Sequence, residues 1–115
     1  MSGVKHTIKS KIETDQIFKL GKRANTSLFA ACICKTPKGR DQGGRVAFVA
    51  GKKLGNAVFR NRCKRVLREM FYRSDGPWAG CDVIFIARQQ SATATLAELD
   101  KACMNLKKHI QGREV

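Results

Sequence analysis

The chain has 115 residues, 43% of them hydrophobic and 28% charged, a composition and length that suit one folded domain with its own core. Lys and Arg number 23 against 9 acidic residues, and the formal net charge of +14 favours a polyanionic partner. Nucleic acid is the first choice, and an anionic membrane surface is a weaker alternative. Because the sequence contains no apolar run of about 18 residues and no signal-peptide pattern, we expect a cytoplasmic protein without a membrane partner.

The cysteines and histidines do not form a recognisable chemical site. The 5 cysteines contain no Cys-x-x-Cys pair, and their odd number argues against a disulfide framework. They are Cys32, Cys34, Cys63, Cys81 and Cys103. Neither His6 nor His109 has a nucleophile or carboxylate implied beside it, so we predict no catalytic residue and no metal ligand in this chain. We expect reduced, mostly buried thiols and no cofactor bound tightly by the protein alone.

The two ends of the chain are predicted to lie outside its domain. Residues 1–11 are basic and poor in apolar side chains, which is typical of a flexible arm, and residues 113–115 form a short tail. We expect a single domain over residues 12–112. At its beginning, the apolar spacing predicts a short helix over residues 12–20, and Gly21 is well placed to end it.

Strands and a last helix are predicted in the rest of the domain. Residues 26–35 and 45–51 each indicate a strand, and because only the turn-rich loop 36–44 separates them, we expect an antiparallel hairpin. The apolar, β-branched run at 81–87 predicts a strand buried on both faces. Residues 96–110 return to helical periodicity. This order predicts an α+β sandwich with helices packed on a mixed sheet.

The helix that follows the second strand is the clearest element. Asn56 can cap it by accepting hydrogen bonds from backbone N–H groups that otherwise lack a partner. An apolar stripe at helical spacing predicts the face that packs on the sheet. The stripe consists of Phe59, Cys63, Val66, Leu67 and Met70. At about 100° per residue, polar side chains fall on an adjoining arc. The arc consists of Arg60, Asn61, Lys64, Arg65 and Arg68.

A long window without acidic residues lies between Gln42 and Arg68. Its cations are Arg45, Lys52, Lys53, Arg60, Arg62, Lys64, Arg65 and Arg68. A phosphodiester backbone attracts such a surface through Coulomb energy and counterion release, and Arg adds bidentate hydrogen bonds to phosphate. The alternative is an ordinary solvated helix face. Because only Glu69 is placed to form an ion pair within this helix, we favour a binding surface.

The order of residues in this window carries a resemblance to a known family. The stretch KKLGNAVFRNRCKRVLRE at 52–69 resembles the signature of the bacterial ribonuclease P protein family in each of its fixed elements. IFKLGKR at 17–23 and GCDVIFIAR at 80–88 are similar to the end of the first helix and to the last strand of that family. The alternatives are a different basic RNA-binding module, such as a ribosomal protein of similar fold, and a stand-alone thiol enzyme. The latter requires a low-pKa Cys beside a His.

The resemblance implies a fold and a function. The fold is an α-β-β-β-α-β-α sandwich of the ribosomal protein S5 domain 2-like type, with a short extra strand near residues 22–25. Its mixed sheet contains a left-handed β-α-β crossover around the basic helix, against the usual right-handed rule. The implied partners are the ribonuclease P RNA and precursor tRNA, with no obligate protein partner. In that assembly the RNA and its Mg²⁺ hydrolyse the precursor, and the protein contacts the 5′ leader.

The resemblance also implies which residues meet each RNA. The set expected to contact the catalytic RNA is Lys52, Lys53, Asn56, Arg60, Asn61, Arg62, Lys64, Arg65 and Arg68. The leader is expected in a cleft between the sheet and the first helix, near Phe18, which matches a family aromatic, and Arg88. Thr14 and Cys32 stand where the family often has further aromatics, so we expect leader contacts to depend more on Phe18, polar groups and cations. Phe29 is expected in the core.

Overall fold

The structure, a computed structural model, describes Ile8, residues 11–36 and residues 43–113, the last three of these through their backbone alone. The elements are helix α1 (Lys11–Leu20), strands β1 (Lys22–Asn25), β2 (Phe29–Lys35) and β3 (Arg45–Val49), a 3₁₀ turn (Lys52–Leu54), helix α2 (Ala57–Arg73), strand β4 (Cys81–Ala87), and helices α3 (Gln89–Thr93) and α4 (Leu96–Arg113). The expected α+β order is confirmed, including the extra strand β1. The short helix α3 is an addition that the sequence pattern did not predict.

The sheet has the strand order β1-β2-β4-β3. Strand β4 pairs antiparallel with β2 and parallel with β3, with Val83 opposite both Ile33 and Val46. The predicted hairpin between β2 and β3 is therefore wrong, because β4 lies between them. The reason is burial: β4 is apolar on both faces, so the central position covers more of its surface than an edge would. The predicted mixed sheet and its parallel β3-α2-β4 unit are confirmed, and the hand of that crossover stays a prediction.

One face of the sheet packs against α2 and α4 and forms the main core. Side chains alternate along a strand, so every second residue of β2, β3 and β4 points to this face. Phe29, which the sequence placed in the core, is 0% exposed there and packs edge-on against Phe85 with ring centres 5.4 Å apart. The helices contribute Cys63, Leu67, Met70, Phe71, Leu99, Cys103 and Leu106.

The opposite face is covered by α1, which contributes Ile17 to a smaller cluster with Cys32, Ala47 and Ile84. Ile8 belongs to the same cluster at 5% exposed, and its backbone N–H donates to Val46 O at 2.9 Å. Ile8 falls within the predicted arm, so the packed domain begins before residue 12. Lys11, also within the predicted arm, is the first residue of α1, and residues 1–7, 9–10 and 114–115 lie outside the described residues.

Helix α1 ends where its backbone crosses β2 closely. A Cβ atom at Gly21 would lie 2.6 Å from Ile17 O and 2.7 Å from Ile33 O, so only glycine fits this crossing without a shift of backbone. The predicted helix end at Gly21 is thus confirmed with a steric reason.

The cysteines are reduced and mostly buried, as the sequence predicted. All 5 cysteines are free, four of them are buried, and Cys34 is half-buried. In the part of the chain that the structure describes, no helix is both long enough and apolar enough to span a bilayer.

Candidate nucleic-acid interface

The start of α2 is fixed by its capping residue, as the sequence predicted. Asn56 Oδ1 accepts a hydrogen bond from the backbone N–H of Phe59 at 2.9 Å, which satisfies one of the free donors of the first turn. Gly55 precedes the cap, and a Cβ atom there would lie 3.0 Å from the Phe59 ring. Arg60 Nε donates to Gly55 O at 3.2 Å, which holds the first arginine of the helix beside the turn.

The predicted apolar stripe of α2 is confirmed. Cys63, Leu67 and Met70 are 0% exposed, and Phe59 and Val66 are half-buried against the same cluster. Because this stripe is sealed against the sheet, the polar side chains of α2 are left on its two flanks and its outer side.

The two flanks of α2 face different parts of the molecule. On one flank the Arg68 guanidinium carbon lies 5.4 Å from the centre of the Phe48 ring, so this flank stands over the edge strand β3. On the other flank Arg73 pairs with Asp100 at 2.9 Å, so that flank faces α4.

The β3 flank carries a line of cations. Arg60, Lys64 and Arg68 follow one another at i, i+4 and i+8 and therefore stack along the helix. Arg68 is exposed, and Arg60 and Lys64 are half-buried. The ion pairs seen between described residues involve Arg45, Arg73 and Lys107, and none involves the β3 flank.

The other helical candidates surround this line. Asn61 and Arg65 are exposed on the outer side of α2. Arg62 is exposed too, but it lies about 200° around the axis from Arg60 and so shares the flank of Arg73. The predicted set therefore wraps around the exposed side of α2 and does not form a single row.

A second group of cations lies at one end of the sheet. Because β3 and β4 run parallel, the residues that follow them emerge at the same end. Lys52 and Lys53 follow β3 in the exposed 3₁₀ turn, and Arg88 follows β4. Arg88 Nη2 donates to Asn25 Oδ1 at 3.2 Å, which holds it beside the end of β1. The beginning of α2 lies at this same end.

Helix α1 covers only part of its sheet face, because a polar clamp holds it near the other end. Arg45, the first residue of β3, donates to both carboxylate oxygens of Glu13, at 3.2 and 2.7 Å. Its Nη2 is also 3.7 Å from Asp82 Oδ2, and Asp82 Oδ1 accepts from Thr36 Oγ1 at 3.3 Å. Hydrogen bonding to Glu13 raises the pKa of Arg45, so the clamp keeps its charge.

Beside α1, the described residues leave a strip of this sheet face less covered, and this strip is where the resemblance places the leader cleft. Val49 and Ile86 are register partners near the far ends of β3 and β4, and both are half-buried. Thr14 and Phe18 lie four positions apart on one side of α1, away from Glu13 and its clamp. That side of α1 therefore faces this strip. Phe18 is 39% exposed, which leaves its ring open to a ligand.

The predicted leader residues are thus not equivalent. Phe18 and Arg88 are exposed and Thr14 is half-buried, whereas Cys32 is 2% exposed beneath α1. The Cys32 thiol donates to Ile17 O at 3.1 Å, so a ligand would reach it only if α1 moved.

Three of the buried thiols are poor nucleophiles. Burial raises the pKa of Cys32, Cys63 and Cys103, which keeps them protonated at neutral pH. Among the described residues, no group of three or more His, Cys, Asp or Glu side chains is arranged to hold a metal ion. The raised pKa values argue against a nucleophilic role for Cys32, Cys63 and Cys103.

The clamp of Arg45, Glu13 and Asp82 is the part of the site that the sequence did not indicate. Its residues come from three distant segments and form no motif. Asp82 could have indicated a polar contact of this kind, because it is a charged residue inside an apolar strand and a buried carboxylate needs a partner.

Comparison with known proteins gives one consistent result. A family model described as Ribonuclease P matches residues 3–111. The chain is 40% identical over 91 residues to the ribonuclease P protein component of Dehalococcoides mccartyi strain CBDB1, covering 79% of this chain and 72% of the relative. It is 33% identical over 103 residues to that of Bacillus cereus strain AH187, covering 89% and 88%.

Solved structures agree with the sequence relatives. The RNase P protein of Staphylococcus aureus superposes with a TM-score of 0.75 at 30% identity, over 91% of this chain and 94% of that chain. The RNase P protein of Thermotoga maritima gives a TM-score of 0.72 at 28% identity, over 87% and 93%.

Proposed function

This chain belongs to the ribonuclease P protein family, and on that premise we propose that it binds the catalytic RNA and the 5′ leader of precursor tRNA in the cytoplasm. It assists the Mg²⁺-dependent endonucleolytic cut that removes the leader and leaves the mature tRNA 5′ end. The RNA and its Mg²⁺ perform the hydrolysis, and this chain supplies binding and positioning. The observation that carries the proposal is the cationic surface of α2 in a chain of this family.

The exposed side of α2 is suited to the folded catalytic RNA. Arg60, Lys64 and Arg68 are spaced along one flank, so they can follow successive phosphates, and arginine can bind two phosphate oxygens at once. Arg65 and Asn61 extend this surface outward. Because the stripe beneath is fully packed, α2 presents these groups from a rigid helix, which reduces the entropy lost on binding.

The cleft beside α1 is suited to a single-stranded leader. The exposed Phe18 ring offers a stacking surface for one base, and Val49 and Ile86 give the floor an apolar character. Arg88 follows β4 at this end of the sheet and can neutralise a leader phosphate, and Lys52 and Lys53 at the same end extend the surface for the catalytic RNA. With Thr14 and the buried Cys32 at the other family positions, Phe18 is the principal aromatic contact.

The α2 surface itself is not suited to hold Mg²⁺. Mg²⁺ prefers oxygen ligands, above all carboxylates and phosphates, whereas this surface presents Lys, Arg and Asn. Glu69 is its nearest acidic residue along the helix. We therefore assign the metal ions to the RNA. The cations of the chain offset RNA self-repulsion, which lowers the Mg²⁺ concentration that the assembly needs.

Reconstitution at limiting Mg²⁺ tests this function. Precursor tRNA cleavage by a bacterial ribonuclease P RNA is measured over a Mg²⁺ titration with and without the chain. We expect the chain to shift half-maximal cleavage to lower Mg²⁺, and a precursor whose leader is shortened to one nucleotide to lose most of that shift. No stimulation with any ribonuclease P RNA tested would contradict the proposal.

A further inference from the structure

A second concave surface lies at the other edge of the sheet from the β3 flank. It is a groove of about 840 Å³ between strands β1 and β2 and the second half of α4. Strand β1 is an edge of the sheet, and among the described residues no strand pairs with its outer side. The volume falls within the range of sites that bind small molecules and nucleotides, roughly 300–1,000 Å³.

The walls of this groove combine apolar surface with positive charge. Ala24, Ile33, Leu106 and Ile110 are partly or fully buried apolar residues that line it. Lys22, Arg23 and Lys35 also line it and are exposed. In the part of the chain that the structure describes, no Asp or Glu lines the groove. The groove therefore suits a ligand that carries both a flat apolar part and a negative charge.

We propose that this groove binds single-stranded RNA, with a base against the apolar wall and the flanking phosphates on Lys22 and Lys35, which point to the same face as Ile33. Each nucleotide joins a planar base to an anionic phosphate, which matches both features of the groove. Asn105 and His109 line the α4 side and supply hydrogen-bonding groups for base edges.

A second copy of this chain fits the groove less well. The formal net charge is +14 per chain, so two copies repel each other, and the exposed lysines of the groove would meet a cationic partner. RNA is anionic, so its interaction with the same lysines is attractive.

The groove is separate from the α2 surface, although its lining residue Asn25 also contacts Arg88. The strand order places β1 and β3 at opposite edges of the sheet, and no α2 residue lines the groove. RNA bound here would contact the domain on the side away from Arg60 and Arg68. The proposal therefore does not depend on the α2 surface, and the two can be tested apart.

Backbone NMR of the full chain with a single-stranded hexauridylate tests the site. We expect saturable shifts for amides of β1 and of the second half of α4. Ala102→Glu places a carboxylate in the groove wall. It should weaken the RNA affinity obtained from these shifts on the order of tenfold, because one repulsive charge is added beside the phosphates. Ala97→Glu is the matched control: it makes the same change on the same helix at an exposed position that does not line the groove.

The outcomes of that experiment are distinct. Shifts confined to α1 and α2 would overturn the groove while leaving the proposed function intact. If the amide shifts of β1 and α4 change with protein concentration in the absence of RNA, the groove is a self-association surface, and this result would also overturn the proposal. If Ala102→Glu fails to fold, the double variant Lys22→Ala with Lys35→Ala replaces it, since both side chains are exposed. Equal affinity of this variant and the unmodified chain would contradict the proposal.

The source of the RNA is identified by crosslinking from the groove itself. Ala102 lines the groove from α4, so Ala102→Cys in a Cys34→Ser background provides the attachment point for a photoreactive group, and the other four cysteines are buried. In the reconstituted holoenzyme, crosslinks to the precursor would identify the leader, and crosslinks to ribonuclease P RNA would identify a strand of the partner. Crosslinks to neither RNA would overturn the inference.

Discussion

Both flanks of α2 carry arginines, but these have an acidic partner on one flank and none among the described residues on the other. On the α4 flank, Arg73 is neutralised by Asp100 at 2.9 Å. On the β3 flank, Arg60 and Arg68 meet no described acidic side chain, and Arg68 stands over the Phe48 ring. The difference arises from the neighbours, because α4 supplies a carboxylate and β3 supplies an aromatic ring. An arginine therefore stabilises the fold on one flank and is left for a ligand on the other.

The largest effect on stability is expected from the stripe that both flanks share. Leu67 is 0% exposed, and Leu67→Ala should lower the free energy of unfolding by about 3 kcal/mol through lost burial and a cavity. Urea denaturation measures this loss. RNA affinity at a temperature where the variant is folded should change little, because no flank cation is removed. A loss of affinity without a loss of stability would contradict the division between stripe and flanks.

A smaller effect is expected at the clamp that holds α1. Glu13→Gln keeps the shape of the side chain but removes the charge that faces Arg45 at 2.7 Å. We expect a stability loss of about 1 kcal/mol, since both partners are partly exposed. Faster amide exchange in α1 and weaker leader binding should accompany it. Asp15→Asn is the matched control, because it makes the same shape-preserving change at an exposed acid on the same helix. Equal stability and equal amide exchange in the two variants would show that the contact of Glu13 with Arg45 does not hold α1 in place.

The smallest effect is expected on the neutralised flank. Arg73 and Asp100 are 37% and 41% exposed, so Arg73→Ala should cost less than about 0.5 kcal/mol. RNA affinity should fall only by the loss of one distant charge. A strong loss of RNA binding in this variant would show that the α4 flank, too, meets RNA.

The elements that could be predicted from the sequence are those set by local spacing. The cap at Asn56 and the stripe through Leu67 follow from helical periodicity, and the burial of β4 follows from its apolar run. The resemblance of residues 52–69 added the extra strand β1 and the parallel β3-α2-β4 unit, which periodicity alone does not contain.

What could not be predicted depends on contacts between distant segments. Strands β2 and β3 are neighbours in sequence, but β4 separates them in the sheet because it buries more apolar surface at the centre. Ile8 is apolar in a basic segment, and its burial depends on the space left beside α1. The contact of Arg45 with Glu13 requires both the sheet order and the position of α1, neither of which the local pattern contains.

The central claim is that the cationic surface of α2 binds ribonuclease P RNA, and the salt dependence of that affinity tests it most directly. Arg60→Ala with Arg68→Ala, both on the β3 flank, should weaken binding by roughly 10–100-fold and reduce the salt slope by about 2, one for each lost phosphate contact. Arg73→Ala with Lys101→Ala removes the same charge on and beside the α4 flank and should leave the slope nearly unchanged. Equal slopes and affinities for the two double variants would contradict the account.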